Sequence, residues 1–472
     1  MARRLILWTW LFSLACLAGC AAVGPDYAAP VPDVPPAWSG PAPGDGDPEN
    51  SGPGLEEWWK AFGDPVLDDL VARALENNPD VRLATERIRE SRARRGGAEA
   101  ARFPGLDASA SYTTSRAAES AGGRVTDLYA EGFDASWEAD LFGGVRRSVE
   151  AAGAQEEASR EGFRNVLVSL AAEVGVSYVN LRAFQARLAV ARENLRLLED
   201  TRDLAQWRGQ AGLASSLDLE RADAQLQGAR AQIPSLESGM RLAAHRLAVL
   251  LGQAPGSLDW LLEEPGDVPL APGGIAVGIP AQALARRPDV RQADRLLAAQ
   301  TARIGVARAD LYPRLGFSGS IGLDALAAGG LLDSSNARAG FGPRLSWRLF
   351  DGNAVRANIQ AQDALAGQAL ATWEGTVLKA LEEVENALRS HAAEKERLQA
   401  LTRAEQAAQS ASKLALDEYA SGLSGFESVL DAQRSSLSYQ DQRVQSEAAL
   451  STGLITLYKA LGGGWTPEPA GP

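Results

Sequence analysis

The sequence predicts a mostly α-helical protein with a small transmembrane β part. It is arranged as two copies of one unit in the order helix, strand, strand, long helix, helix. Three observations lead to this fold class. Short motifs recur at a nearly constant distance, and four segments alternate apolar and polar residues. Two long segments carry apolar residues at heptad spacing, among them Leu170, Val174 and Leu181.

The amino-acid composition argues against several classes of protein function. The 472 residues include 45% hydrophobic and 23% charged residues, which is typical of globular proteins rather than polytopic helical membrane proteins. The net charge of −13 argues against a nucleic-acid binder, which needs a basic face. The only histidines are His245 and His391, and the only cysteines are Cys16 and Cys20, which argues against a Cys/His metal cage or a histidine-based triad. We therefore expect no enzyme activity, no catalytic or metal site and no nucleic-acid partner.

The N-terminus predicts a signal peptide and a lipid anchor. Two arginines precede an apolar run from Leu5 to Leu17, which is too short to span a bilayer as a helix. Leu17-Ala18-Gly19-Cys20 then resembles a bacterial lipobox, in which cleavage precedes the cysteine. We expect residues 1–19 to be the signal peptide and Cys20 to carry a covalent lipid, namely S-diacylglycerol and an N-acyl chain. The alternative is an ordinary signal peptide that contains a cysteine by chance.

The residues after the cysteine predict a tether on the outer membrane. Ala21 stands where an aspartate would resemble an inner-membrane retention signal. Residues 20–57 are rich in Pro, Gly and Ala, so we expect a lipidated, extended N-terminal tether. Cleavage removes two arginines, so the net charge becomes −13 − 2 = −15.

The rest of the chain is an internal repeat. Asn78-Pro79-Asp80-Val81-Arg82 recurs 209 positions later as Arg287-Pro288-Asp289-Val290-Arg291, and Ser136-Trp137 recurs 210 positions later as Ser346-Trp347. Gly212-Leu213 recurs as Gly422-Leu423, also at 210. Matches spread this widely predict two copies of one unit, repeat 1 at 58–262 and repeat 2 at 263–472.

Each repeat predicts the same elements. A helix follows the Pro-Asp-Val-Arg motif, because Pro favours the first helical turn, and it stops before Pro104 or Pro313. A hairpin, a long helix and a returning helix follow, and glycines separate the two helices. The predicted bounds are 288–311 for the short helix of repeat 2, 106–141 and 315–349 for the hairpins, 145–208 and 355–420 for the long helices, and 215–251 and 424–461 for the returning helices.

The strands predict a membrane location. Leu106, Ala108, Ala110 and Tyr112 alternate with polar residues, and Phe133, Ala135 and Trp137 do the same. Each strand has about ten residues, the length of a tilted transmembrane β-strand. Four strands cannot close a barrel, and open edges are not tolerated in lipid, so several chains must share one barrel. Eight strands from a dimer would leave a filled interior, whereas twelve from a trimer leave a lumen. The alternative is a soluble α+β protein with a half-exposed hairpin and coiled-coil arms.

Further segments carry a family resemblance. They are Val23-Gly24-Pro25-Asp26-Tyr27, Trp58-Trp59-Lys60-Ala61-Phe62-Gly63-Asp64-Pro65, Ile304-Gly305-Val306-Ala307-Arg308-Ala309 and Leu430-Asp431-Ala432-Gln433. In this order, and together with Cys20 and the Arg287 motif, they resemble the TolC-like outer-membrane efflux channels, in the NodT-like lipoprotein branch that serves RND-type tripartite pumps. The similarity covers essentially all of the chain after the signal peptide.

The resemblance implies a homotrimer, a trimeric 12-stranded β-barrel continued by a 12-helix periplasmic tunnel. It implies an outer-membrane location in a Gram-negative bacterium and contact with outer-membrane lipid. A periplasmic adaptor (membrane-fusion) protein and an inner-membrane RND transporter would be its partners. The duct would be passive, carrying drugs, toxic compounds or metals outward, with direction set by the pump.

Two sets of site residues follow from this resemblance. The helix-to-helix turns would form the tips that meet the adaptor, and the alternative is a plain helical hairpin turn. The candidate tip residues are Arg208, Gly209, Gly212, Leu213, Gly422 and Leu423. Carboxylates near the tips would line a gate, with Asp417 the first choice for a cation-attracting ring, and the alternative is a solvated carboxylate at a helix end. The gate candidates are Asp417, Glu418, Asp218 and Asp431.

Two other functions remain open on the sequence. One is the outer-membrane channel of a type I protein secretion system, which shares the fold. The other is a surface-anchored structural coiled-coil lipoprotein without a pore. The lipobox and the Gly24-Pro25-Asp26-Tyr27 segment favour small-molecule efflux over protein secretion.

Overall fold

The computed structural model describes residues 22–40, 54–271 and 280–466. The predicted signal peptide and Cys20 lie outside these residues. Nine α-helices occur in the described ranges: α1 Pro65–Asn77, α2 Pro79–Ala100, α3 Gly144–Gln210, α4 Ser216–Leu250, α5 Trp260–Glu263, α6 Pro280–Arg286, α7 Pro288–Ala309, α8 Ala354–Ala420 and α9 Phe426–Ala460. Four strands occur there: β1 Gly105–Arg116, β2 Val125–Ala139, β3 Arg314–Ala325 and β4 Ala337–Ser346.

The repeat is visible as matched elements. The long helices α3 and α8 each have 67 residues, and the returning helices α4 and α9 each have 35. At a rise of 1.5 Å per residue, 67 residues correspond to roughly 100 Å of helix. In α3, residues at the predicted heptad positions such as Leu170, Val174 and Leu181 are buried.

Three α-helices of the described residues, α1, the single-turn α5 and α6, were not predicted, and neither were the short 3-10 helices. α1 and α6 precede the Pro-Asp-Val-Arg motifs, which the sequence analysis treated as the start of each short helix. The 3-10 helix Leu55–Phe62 takes the last three residues of the predicted tether, because it buries Trp58, Trp59 and Phe62. In the tether itself, residues 22–40 contain no helix or strand.

In both repeats the residue before the proline of the Pro-Asp-Val-Arg motif lies at the junction between two consecutive helices. Asn78 Nδ2 donates to the carbonyl of Leu250, at the end of α4, over 2.8 Å. Arg287 Nη1 donates to the carbonyl of Ala460, at the end of α9, also over 2.8 Å. Carbonyls at a helix C-terminus have no intrahelical partner, so each repeat satisfies one with the same motif position. The recurring motif is therefore a structural junction.

In each repeat an aspartate lies between the second strand and the long helix and caps the first turn of that helix. Asp140 accepts hydrogen bonds from the backbone N–H of Val145 and Arg146 at 3.1 and 2.9 Å. Asp351 accepts from the N–H of Val355 at 2.8 Å. Such caps satisfy orphan donors of a first helical turn. The strands therefore end earlier than predicted, at 139 and 346 rather than 141 and 349.

Contacts between Cα atoms group the chain into two compact units that do not follow the two repeats. The first comprises Met1–Val31, Glu86–Arg160 and Gln292–Gly375, and it holds the whole β-sheet. The second comprises Pro32–Thr85, Glu161–Arg291 and Thr376–Pro472. Its main core includes Trp58, which stacks on Tyr458 with 5.4 Å between the ring centroids. Each unit draws segments from both repeats.

Among the described residues, one helix, α3, has an 18-residue window apolar enough for a membrane span, with a mean hydropathy of 1.3. In that window 61% is buried inside the protein, which is typical of a core helix.

Candidate functional site: the sheet faces and the helical tips

The four strands form one antiparallel sheet in the order β1-β2-β3-β4. Directly paired residues point to the same face, so the register sorts the side chains. One face is mainly apolar, with Glu131, Asp127, Thr114 and Arg116 as its polar residues toward the β1–β2 turn. Its apolar residues include Leu106, Ala108, Ala110, Tyr112, Tyr129, Phe133, Ala135, Trp137, Leu315, Phe317, Ile321, Leu323, Phe341 and Leu345. The other face carries mainly small or charged residues, with the apolar Leu128 near the β1–β2 turn. These small or charged residues include Asp107, Ser109, Ser111, Gly132, Asp134, Ser136, Glu138, Gly316, Ser318, Ser320, Gly322, Asp324, Arg338, Gly340, Gly342 and Arg344. The residues that the sequence predicts to alternate between apolar and polar along each strand do lie on these two faces.

Aromatic residues occupy both ends of the apolar face. Tyr112 and Tyr129 contact each other near the β1–β2 turn, with 4.8 Å between ring centroids. At the other end Trp137 stacks on Phe317 at 5.7 Å. Two such rows are typical of a transmembrane strand that crosses two interfaces.

The tryptophans have a second role that sequence reasoning missed. Trp137 Nε1 donates to the carbonyl of Arg102 at 2.9 Å, and Trp347 Nε1 donates to the carbonyl of Leu311 at 3.0 Å. Both carbonyls follow the short helices, so the indoles fix the sheet to the helix ends in the same way in both repeats. The recurrence of Ser-Trp at 210 residues was the available signal.

The two outer edges of the sheet are unpaired. β1 bonds only to β2 and β4 bonds only to β3 in the described residues. Every residue of β1 is exposed, on both faces. Since unpaired strand edges cannot face lipid, the sheet of one chain is incomplete as a membrane structure.

The helical tips have the same backbone in both repeats. Gly212 and Gly422 adopt φ of +73° and +76°, a conformation that disfavours side chains. The N–H of Leu213 donates to the carbonyl of Arg208 at 2.8 Å, and the N–H of Leu423 donates to that of Glu418 at 2.8 Å. This is the glycine-based termination that the sequence predicted for both long helices.

Arg208 joins the two tips. Its Nη1 donates to the carbonyls of Tyr419 and Ala420 at 2.7 and 3.2 Å. Its guanidinium carbon lies 4.5 Å from the centre of the Tyr419 ring. The buried Tyr419 ring also contacts Phe426 at 5.2 Å. Arg208 therefore binds the end of α8, a contact between residues 211 apart that the sequence did not predict.

The four gate candidates have different surroundings. Asp417 and Glu418 are exposed. Asp218 forms a capping box with Ser215 at the start of α4, and Asp431 pairs with Arg434 at 3.6 Å. In the Leu430-Asp431-Ala432-Gln433 motif the buried members are Leu430 and Gln433. The gating roles stay predictions, and Asp218 has a structural role besides.

The N-terminal arm, residues 22–31, binds the wall of the first unit. The N–H of Val23 donates to the carbonyl of Phe142 at 3.0 Å. Arg147 donates to the carbonyl of Val23 at 3.2 Å and to the carboxylate of Asp26 at 2.6 Å. Tyr27 donates to Asp294, and burial, with that hydrogen bond, raises the pKa of Tyr27. The Gly24-Pro25-Asp26-Tyr27 segment is therefore a binding segment of the arm.

In the described residues, no group of three or more His, Cys, Asp or Glu side chains is placed to hold a metal ion. Of the histidines, His391 lies half-buried and His245 is partly exposed.

Comparison with known proteins identifies relatives of this chain. The family model described as outer membrane efflux protein matches residues 70–253 and 279–463. The chain is 33% identical to Nodulation protein T of Rhizobium leguminosarum bv. trifolii over 477 aligned positions, covering 98% of each chain. It is 34% identical to Outer membrane protein OprJ of Pseudomonas aeruginosa, covering 96% of this chain and 95% of OprJ.

Solved structures of outer-membrane channels have the same fold as this chain. The outer-membrane channel OprN superimposes with a TM-score of 0.88 at 37% identity, covering 95% of this chain and 100% of that one. Several relatives are named as outer membrane proteins of efflux pumps, such as the solvent efflux pump protein SrpC of Pseudomonas putida, which supports an efflux duct over a secretion channel. Channels of this kind are not enzymes. The chain belongs to the outer membrane efflux protein family.

Proposed function

We propose that this protein is the passive outer-membrane exit duct of a tripartite efflux pump and that it works as a homotrimer. The observation that carries the proposal is a four-stranded sheet with an apolar face and two unpaired outer edges. In a trimer, β4 of one copy pairs with β1 of the next, both running antiparallel, and no edge remains. Twelve strands then close one barrel, which is wide enough for a lumen.

The polar face of the sheet supports a conducting lumen. Most of its residues are Gly, Ser or Ala, so side chains would leave the interior open. Its charges have both signs, such as Asp134 and Arg338. Four helices per copy would continue the lumen as a twelve-helix periplasmic tunnel. Neither ATP nor protons are used by the duct, and an inner-membrane RND transporter with its periplasmic adaptor drives transport of drugs, toxic compounds or metals.

The N-terminal arm supports a lipid anchor on Cys20. Val23 is fixed to the carbonyl of Phe142, just after β2, and Cys20 is three residues away, a reach of roughly 10 Å. Acyl chains on Cys20 would therefore enter the bilayer beside the barrel. Labelling with radioactive palmitate checks this: the native protein should be labelled and Cys20→Ala should not, and equal labelling would contradict the anchor.

The tips support a gate and an adaptor contact. Threefold symmetry would place the exposed Asp417 of each copy in one ring, which attracts cations. Arg208, Gly209, Gly212, Leu213, Gly422 and Leu423 would form the surface that meets the adaptor. An Asp417→Asn trimer should show altered single-channel conductance or divalent block, and an unaltered current would exclude Asp417 from the gate.

Planar-bilayer recording of the purified protein tests the function as a whole. The native protein should run as a trimer and give discrete conductance steps. Deleting its gene should sensitise the host to pump substrates, and the periplasmic adaptor should co-purify with it. A monomeric, non-conducting protein would instead support a structural lipoprotein without a pore.

A further inference from the structure

The internal repeat provides a built-in comparison at the two helical tips. Both follow 67-residue helices, precede 35-residue helices and turn through a glycine with nearly the same φ. Both close with the same pair of backbone hydrogen bonds. Any difference in chemistry between the tips therefore arises from side chains alone.

The side chains at three pairs of matched positions are of opposite character, although Gly212-Leu213 and Gly422-Leu423 are the same in both tips. Three positions, each pair 210 residues apart, differ in this way: Trp207 and Asp417, Arg208 and Glu418, and Leu217 and Glu427. Tip 1 is the turn flanked by Trp207 and Leu217, and tip 2 is the turn flanked by Asp417 and Glu427. Tip 1 is apolar at its flanks, and tip 2 is acidic.

Neither the apolar side chains of tip 1 nor the carboxylates of tip 2 stabilise the fold of one chain. Trp207 and Leu217 are 65% and 55% exposed, so most of their apolar surface faces solvent rather than the core. Asp417 and Glu418 stand in the last turn of α8, where the helix dipole disfavours negative charge. Three large apolar residues exposed at one turn, Trp207, Leu213 and Leu217, indicate a contact with a partner more than a single exposed residue would.

Arg208 of tip 1 does not neutralise the carboxylates of tip 2. The guanidinium lies over the Tyr419 ring and binds the carbonyls of Tyr419 and Ala420 rather than a carboxylate. Within the described residues, Asp417 and Glu418 form no ion pair, whereas Glu427 is held by Arg221 at 3.4 Å. The negative charge that tip 2 offers therefore comes mainly from Asp417 and Glu418.

We propose that the two tips receive two different surfaces of one protein partner, the periplasmic adaptor. Apolar side chains of the adaptor cover Trp207 and Leu217 at tip 1, and lysine or arginine side chains meet Asp417 and Glu418 at tip 2. This inference rests on the proposed function and assigns the chemistry of its adaptor contact. The two contacts differ in one measurable property, because salt screens only the second.

Adaptor binding to the purified channel across a salt titration tests this assignment. The probe is the purified adaptor that co-purifies with the native channel. Trp207→Ala should weaken binding about tenfold or more at every salt concentration, since buried Trp residues dominate interfaces. The double variant Asp417→Asn, Glu418→Gln should weaken binding about tenfold at low salt and flatten the salt dependence.

Matched controls lie away from the tips. Trp260→Ala removes another exposed tryptophan, and Glu396→Gln removes another exposed carboxylate of α8. Both should bind like the native channel, and all variants should keep the native oligomeric state and melting temperature. Tip variants that bind within twofold of their controls would overturn the inference while the proposed function stands. A native channel that neither conducts nor binds an adaptor would overturn both.

Discussion

Replacing Arg208 by alanine should loosen the helical tips without unfolding the protein. The substitution removes two hydrogen bonds to carbonyls at the end of α8 and the contact with the Tyr419 ring. All these contacts join one tip to the other. The rest of the tip core, including Phe426, Val429 and Leu430, is untouched. The effect should therefore be confined to the tips.

The contacts set the size of the effect. Both hydrogen bonds come from Nη1 of Arg208, so together they contribute about 1.5–3 kcal/mol, the range for a charged donor, and a cation–π contact at a partly exposed site adds about 0.5–1 kcal/mol. Part of this is offset, because Arg208 Nε is buried without a partner and its removal relieves about 1 kcal/mol or more. A net loss of about 2 kcal/mol corresponds to about a 30-fold increase in local opening.

Amide hydrogen exchange measures that opening directly. Peptides that span the tips, near Tyr419 and Leu213, should lose about 30-fold in protection, while peptides from the sheet keep theirs. Arg221→Ala is the matched control, since it removes a longer, exposed ion pair with Glu427 and should change protection by about twofold or less. Tip protection that stays native in Arg208→Ala would refute the assigned contact.

Three further outcomes are expected. Gly305→Val should detach the N-terminal arm, because even a Cβ there would lie 2.9 Å from the carbonyl oxygen of Val23, and limited proteolysis should cut the arm faster while the melting temperature holds. Arg287→Ala should lower the free energy of unfolding of the second unit by about 3 kcal/mol in denaturant, since it leaves the carbonyl of Ala460 and the half-buried Asp289 without their partner, and Asn78→Ala, which removes a neutral hydrogen bond, should cost about 1–2 kcal/mol; native stability of either variant would contradict its junction role. Burial lowers the pKa of His391, so the free energy of unfolding should be constant above pH of about 6.5 and fall below it, and His391→Gln should lose that slope.

The sequence predicted elements whose signal is periodic. Alternation with period two placed Trp137 and Tyr112 on the apolar face, because neighbouring strand residues must point to opposite sides. Heptad spacing in the same way placed Leu170 and Leu181 inside. Recurrence doubled the strength of each signal, since every element occurs twice.

Contacts between distant residues could not be predicted in this way. Arg208 is a predicted adaptor-contact residue of the tip, and the sequence did not predict that it also binds a carbonyl 211 residues away. Asp218 was a gate candidate, yet it caps its own helix. Both contacts depend on how side chains pack and cap rather than on periodicity, and the adaptor role of Arg208 and the gate role of Asp218 stay predictions. The helix α1 was missed because its boundary with α2 is a single residue, Asn78.

The pairing of β2 with β3 has a consequence for symmetry. These strands belong to different repeats, so their junction corresponds to the one that β4 would make with β1 of the next copy in the proposed trimer. The three chains of the trimer thus contain internally half of the junctions that an assembly of six single repeats would form between separate molecules. The backbone of such a ring would have approximate sixfold symmetry, and the unlike tips would reduce it to threefold. A sixfold set of partners on this rim would accordingly sit in two alternating chemical environments.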